Sequence, residues 1–249
     1  MSAATARVAG PLAAAALAAC AGCTSAPGGP HDVPAPMRDA GAFEILASRA
    51  PSAADALRAD DIEPLAAGSV RWLTTDGGPP FEVSTEEVPP RFERRDPVAT
   101  RTLARTADGG VALERQKDAS DGAVLVFTGP LVLAPARLAP GDEPTSTSGV
   151  ITERGQARDN DGGRAQRSLR ITSVDRVRTP LGEFEAVRVD AALTMKVPFA
   201  SLRRETSTWV RPGTGPVAVR SDERVLVMGV VPRNRSETRV RLPASGGAR

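Results

Sequence analysis

Between residues 167 and 231 apolar and polar residues alternate in four runs, separated by turn chemistry at Thr179-Pro180-Leu181-Gly182 and Pro212-Gly213-Thr214-Gly215-Pro216. A period of two puts alternate side chains on opposite faces of a strand, and no helix can bury such a pattern along one stripe. Leu169, Ile171 and Val177 share one phase, as do Val187, Val189, Ala191 and Leu193, and again Val217, Val219 and Val225. Leu226–Val231 is almost wholly apolar, which predicts a piece covered on both faces. Pro180 and Gly182 suit a tight corner, and Gly213 and Gly215 permit positive φ in the second. The stretch reads as an antiparallel meander.

The same grammar extends towards the N-terminus. Val70–Thr75 leads into Asp76-Gly77-Gly78, Val98–Thr106 into Asp108-Gly109-Gly110, and Val111–Lys117 into Asp121-Gly122. Asp-Gly corners between β-branched runs are strong hairpin signals. Ala123–Phe127 reads as a short buried strand, and Pro79–Pro97, broken by prolines, as a loop or weak edge strand. Asp159-Asn160-Asp161-Gly162-Gly163 is read as a hairpin turn between Gly149–Arg158 and Ala165–Arg178. A calcium loop is the rival there, but an EF-hand needs a ligand at its fifth position and Gly at its sixth. Those positions hold Gly163 and Arg164. Ser236–Leu242 offers a last strand, giving roughly nine to eleven antiparallel strands in all. Ala40–Ala67 is expected to form one or two short helices, with Ser52 as N-cap of Ala53–Arg58.

With aromatics at 3% and no Tyr, the core must be built from Val, Leu, Ile and Ala. A formal net charge of +2 and few aromatic faces argue against nucleic acid as a partner. Lys117 and Lys196 are the only lysines, and the abundance of Arg is read as genome composition rather than as a binding surface.

Residues 1–19 carry one charge, Arg7, and an apolar run from Leu12 to Ala19, too short to span a bilayer. They read as a signal peptide. The run ends Leu17-Ala18-Ala19-Cys20, which resembles the lipobox of bacterial lipoproteins. The resemblance implies cleavage before Cys20, a diacylglyceryl thioether on it, and fatty acylation of the new N-terminus. Two or more chains suffice for stable anchoring where one does not. Cys23 lacks the aliphatic residue a lipobox wants first, and a Cys-x-x-Cys redox site has no strand–helix setting here. Residues 20–39 form the lipidated cysteine and a Pro/Gly/Ala-rich linker that contains His31, the only histidine. Residues 40–243 are expected to be one β-rich envelope domain, and 244–249 a disordered tail. Ala21 in place of Asp after the lipidated cysteine weakly favours the outer membrane over inner-membrane retention.

Asp61–Trp72, with Pro64-Leu65, Gly68 and Trp72, resembles the opening of a group of bacterial envelope lipoproteins with a periplasmic β-domain of unknown function. Thr179-Pro180-Leu181-Gly182-Glu183-Phe184-Glu185-Ala186, followed by Trp209 and Pro212-Gly213-Thr214-Gly215-Pro216-Val217, resembles their closing signature. Leu73-Thr74 departs from the pattern, where an aromatic commonly follows the Trp. The resemblance implies an antiparallel sheet curved into a half-barrel, with a closed β-barrel or a β-sandwich as the alternative. Phe184 is expected to enter the core and Trp209 to cover an end of the sheet.

Function follows from the address. The first expectation is a non-catalytic lipoprotein whose curved sheet holds an apolar ligand such as a lipid acyl chain. The alternative is a structural or protein-interaction module that offers a sheet edge to an envelope partner. Without a histidine in the domain a Ser-His-Asp triad has no base. Glu183 and Glu185 share a strand face but sit among arginines. No enzyme activity, cofactor or metal is expected; Cys20 is the one assigned site, as the lipidated residue.

Overall fold

The computed structural model describes residues 43–120, 122–154, 157–198, 200–228 and 231–244. Cys20, Cys23, His31 and the segments 1–19 and 20–39 lie outside the described residues, as do the last five.

In chain order the elements are β1 (Glu44–Arg49), a 3-10 turn (Ala53–Asp55), β2 (Leu57–Arg58) and α1 (Ala59–Ile62). Then come β3 (Gly68–Thr74), β4 (Phe81–Val88), β5 (Arg91–Arg95), β6 (Ala99–Arg105), β7 (Val111–Asp118), β8 (Val124–Ala134) and β9 (Arg137–Leu138). The series ends with β10 (Thr145–Arg154), β11 (Ala157–Thr179), β12 (Gly182–Val197), β13 (Ala200–Arg211), β14 (Gly215–Val227) and β15 (Val231–Arg241). Leaving β1, β2 and β9 aside, each strand pairs antiparallel with the next, an up-and-down order. The last returns to the first through Arg239↔Thr74, Val240↔Leu73 and Arg241↔Trp72. Twelve strands thus close into a barrel. β1 continues the wall alongside the lower part of β11, from Val174 to Arg178, beyond the end of β10. Among the described residues the strand pairings run from Glu44 to Arg241.

The half-barrel expected above is therefore corrected to the closed barrel given as its alternative. Closure satisfies the backbone groups that a curved open sheet leaves bare along both edges. Pro79–Pro97, expected as a loop or edge strand, instead supplies β4 and β5 inside the wall. Its prolines fall at strand ends and in the Pro89-Pro90 corner, where no ladder N–H is missed. The Asp159–Gly163 cluster is not a turn but part of β11; the last register pair of β10 with β11 is Arg154↔Ala157. Gly163 is needed there for closeness: a Cβ would come within 2.5 Å of the Lys196 carbonyl oxygen and 2.6 Å of Val197 Cγ1.

At the N-terminal end, Phe43, Ile45 and Leu46 introduce and form a strand rather than a helix. Among the described residues helix is confined to two single turns. Ser52 does open the first: its N–H and hydroxyl both donate to Asp55, at 2.7 and 2.8 Å. A bulge between Ile171 and Ser173 shifts the phase, so Val177 leaves the inner face that Leu169 and Ile171 occupy. Of the apolar run Leu226–Val231, the part whose side chains are described alternates rather than being covered on both faces: Val227 is buried and Met228 64% exposed, while residues 229–230 lie outside the described residues. The two turns are where the sequence puts them, Thr179↔Gly182 and Arg211↔Gly215 being their closing pairs.

Two apolar clusters hold the fold, and both are built almost entirely from Leu, Val, Ile and Ala. Each fully buried Leu or Val contributes about 1.5–3 kcal/mol. The larger cluster fills much of the inner face. The smaller lies on outward positions of β11 to β15 and β3, beneath Phe43, and centres on Trp209. Trp209 is 2% exposed, meets the Phe43 ring at 4.5 Å and donates its Nε1–H to Asp175 at 2.7 Å. It covers the outer face of the wall, where cover for an end of the sheet was expected. Phe184 joins this cluster half-buried, under Arg211, rather than entering the inner core.

Candidate ligand-binding cavity

An eight-stranded barrel is narrow enough for facing side chains to fill it, and the diameter grows with strand number. Twelve strands with so few aromatics leave a gap. The interior holds a cavity of about 360 Å³, within the size range of ligand pockets. One end is closed by residues 57–65, whose Leu57, Ala59, Ile62 and Leu65 are buried in the inner cluster. That plug is tied to the second turn: the Gly213 N–H donates to Asp61 Oδ1 at 2.8 Å. Gly215 has φ +89°, and a Cβ on it would sit 3.3 Å from Pro64 Cγ. The two stretches that carry the sequence resemblance, far apart in the chain, thus meet at one end of the barrel.

The cavity has two kinds of wall. Leu113, Leu125, Phe127 and Leu131 from β7 and β8 face Leu193 and Met195 of β12 and Leu202 of β13. Elsewhere the lining is charged, with Arg94, Arg101, Arg167, Arg204, Arg235 and Arg239 as cations and Glu63, Asp96, Asp118, Glu223 and Glu237 as carboxylates. Most of these neutralise one another. Arg101 Nη1 lies 2.6 Å from Asp96, and Arg204 Nε donates to Glu223 at 2.7 Å. Glu237 takes Arg235 at 2.9 Å and Arg239 at 2.5 Å, and Arg94 is set against Glu63. Arg239 also lies 5.2 Å over the Phe81 ring. Burial pulls the Asp96 carboxyl up, but Arg101 and the N–H groups of Val98 and Ala99 outweigh it and hold the group below the usual range. Burial, with Arg101 nearby, pushes Arg94 down to about 10.

Arg167 is different. Its strand register places it beside Leu193, with Arg204 the next residue along that row. Its Nε is shut off from solvent without a hydrogen-bond partner, and among the described residues no carboxylate pairs with it. Enclosure, then the charges of Arg204 and Arg101, pushes its guanidinium down to about 10, so it stays protonated at neutral pH. A cation in this setting is costly unless something anionic meets it.

The outer face reads otherwise. Ala192, Thr194 and Lys196 on β12, Arg203 and Glu205 on β13, and Arg220, Asp222 and Arg224 on β14 are exposed. A membrane-spanning barrel carries an apolar band at such positions. Among the described residues no helix is long and apolar enough to cross a membrane. Glu183 and Glu185 also lie outside: Glu183 pairs with Arg178 at 2.7 Å, and Glu185 meets Arg49 at 3.4 Å. They do not converge on the cavity.

Sequence reasoning missed the inward arginines by treating Arg as a matter of composition. A signal was present: Arg167 shares the phase of Leu169 and Ile171, and Arg204 that of Leu202, so each is a charge at an inward position.

No family model matches the chain, and no curated protein matches it. Among solved structures, the hypothetical lipoprotein YmcC from Escherichia coli (K12) is similar at a TM-score of 0.38 and 12% identity, over 72% of this chain and 88% of that one. At that level the likeness is loose, and the closed barrel rests on its own strand pairings.

Proposed function

We propose that this chain is a lipid-anchored lipoprotein of the cell envelope, held by Cys20 and facing the periplasm, whose barrel binds an apolar ligand such as a lipid acyl chain. The carrying observation is the cavity of about 360 Å³, lined on one side by Leu113, Leu125, Phe127, Leu193, Met195 and Leu202. An enclosed apolar wall with a few convergent polar groups is the usual form of a small-ligand site. The anchor half of the reading comes from the Leu17-Ala18-Ala19-Cys20 motif and the linker after it. The polar outer wall suits an aqueous compartment rather than the bilayer interior.

The reading is non-catalytic. The sole histidine, His31, belongs to the linker. Inside, Arg101 and backbone N–H groups hold Asp96 in its ionised form, which opposes a role as general acid, and Glu223 and Glu237 are each paired with arginine.

Native mass spectrometry of residues 24–249, exported to a periplasm and purified without detergent, tests the ligand. An adduct of lipid mass that organic solvent extracts is the expected result. A clean apo mass, unchanged after incubation with lipid extract, refutes the ligand half and leaves the partner-binding module in its place.

A further inference from the structure

We infer that Arg167 is the head-group receptor of the cavity, and that the ligand is a single-chain amphiphile with a monoanionic head. This rests on the apolar-ligand reading above and names the ligand's chemical class. Three observations converge.

The first is charge balance. Six arginines and five carboxylates line the cavity, and the arginine left without a carboxylate among the described residues is Arg167. One negative charge completes the set.

The second is placement. The guanidinium stands in the cross-strand row Arg167–Leu193–Arg204, and the neighbouring row is Ala165–Met195–Leu202. A head on Arg167 therefore has apolar wall directly beside it for a tail to follow. Arg101 and Arg204, though each held by its own carboxylate, add positive potential at the same spot.

The third is the unpaired Nε. A guanidinium binds a carboxylate or a phosphodiester through parallel N–H donors, and here one donor is shut away from water with nothing to bind. The modest cavity volume favours one chain over two. Carboxylate and phosphodiester heads share the required charge, so fatty acids and lysophospholipids are the two sources to separate.

The test is titration calorimetry on residues 24–249, which include every strand pairing found among the described residues, with palmitate, lysophosphatidylglycerol and neutral hexadecanol as probes. Arg167→Met is compared with wild type, and Arg170→Met, exposed on the same strand, serves as control. A hydrogen bond to a charged group implies a roughly ten- to hundred-fold loss of monoanion affinity in Arg167→Met, with hexadecanol unaffected and the control like wild type. Whichever monoanion binds wild type more tightly identifies the head. Removing an uncompensated charge should also raise the melting temperature of the ligand-free variant, so misfolding does not mask the result. Palmitate or the lysolipid should then stabilise wild type but not the variant.

Equal binding of all three probes, unchanged by Arg167→Met, overturns the receptor role and leaves the apolar-ligand reading intact. Failure of wild type to bind any probe overturns both.

Discussion

The buried contact between Trp209 and Asp175 gives a prediction whose size follows from geometry. Both residues are sealed, at 2% and 1% exposure, and the indole N–H reaches Asp175 Oδ2 at 2.7 Å. Asp175 Oδ1 has no hydrogen-bond partner. Trp209→Phe keeps a ring against Phe43 but removes the donor and leaves the carboxylate stranded. A hydrogen bond to a charged group contributes about 1.5–3 kcal/mol, and the lost ring volume costs about 1 kcal/mol more. The sum is about 2.5–4 kcal/mol, a fall in melting temperature of roughly 5–15 °C for a domain of this size. Asp175→Asn keeps an acceptor for the indole and removes the charge, so by itself it should change stability by less than about 1 kcal/mol. In that background Trp209→Phe strands no charge and should cost only about 1–2 kcal/mol. Equilibrium urea unfolding followed by far-ultraviolet circular dichroism avoids the altered tryptophan signal. A coupling of about 1–2 kcal/mol is expected across the double-mutant cycle. Additivity within about 0.5 kcal/mol would refute the argument that this bond holds a buried charge.

Gly163→Ala should cost about 1–3 kcal/mol in urea unfolding, because the new methyl meets backbone at Lys196; Gly129→Ala, with nothing within 4 Å, should change little. Asp61→Ala releases the Gly213 amide and should lower stability by about 1–2 kcal/mol, read as faster hydrogen exchange at Gly213 with the wall amides unchanged. For Asp96 the folded carboxyl titrates below its ordinary value, so the unfolded chain takes up the proton first as pH falls. Its stabilisation is full above pH ~4 and is lost as pH drops through the folded value, so the deficit of Asp96→Asn seen near neutrality should close in acid urea series. Cys20→Ala in the full chain should abolish incorporation of labelled palmitate and leave the signal segment uncleaved. Processing and labelling as in wild type would remove the anchor from the proposed function.

The strands and corners could be read locally because their causes are local. Alternation along β12 fixes which side chains share a face, and Pro and Gly in the Thr179–Gly182 and Arg211–Gly215 corners restrict the backbone within four or five residues. Where two local signals competed, the outcome turned on tertiary pairing. The glycines and acids of Asp159–Gly163 have turn chemistry, yet Gly163 serves the close approach of β12. The prolines of Pro79–Pro97 look like breaks, yet they fall at the ends of wall strands. The bulge at Ile171–Ser173 reverses the phase of Val177, and no property of those residues alone announces it.

What the sequence by itself determined is the antiparallel β character and the composition of the core. The export signal and lipid anchor remain expectations from residues 1–39. Tertiary structure decided that the sheet closes. The difference between half-barrel and barrel is three residue pairs, between 72–74 and 239–241, brought together only when the intervening strands have added their twist and tilt. Closure also gave the inward arginines their meaning. The phase of Arg167 assigns it to a face, but only the closed wall makes that face an interior, and only the neighbours on other strands leave its charge unmatched.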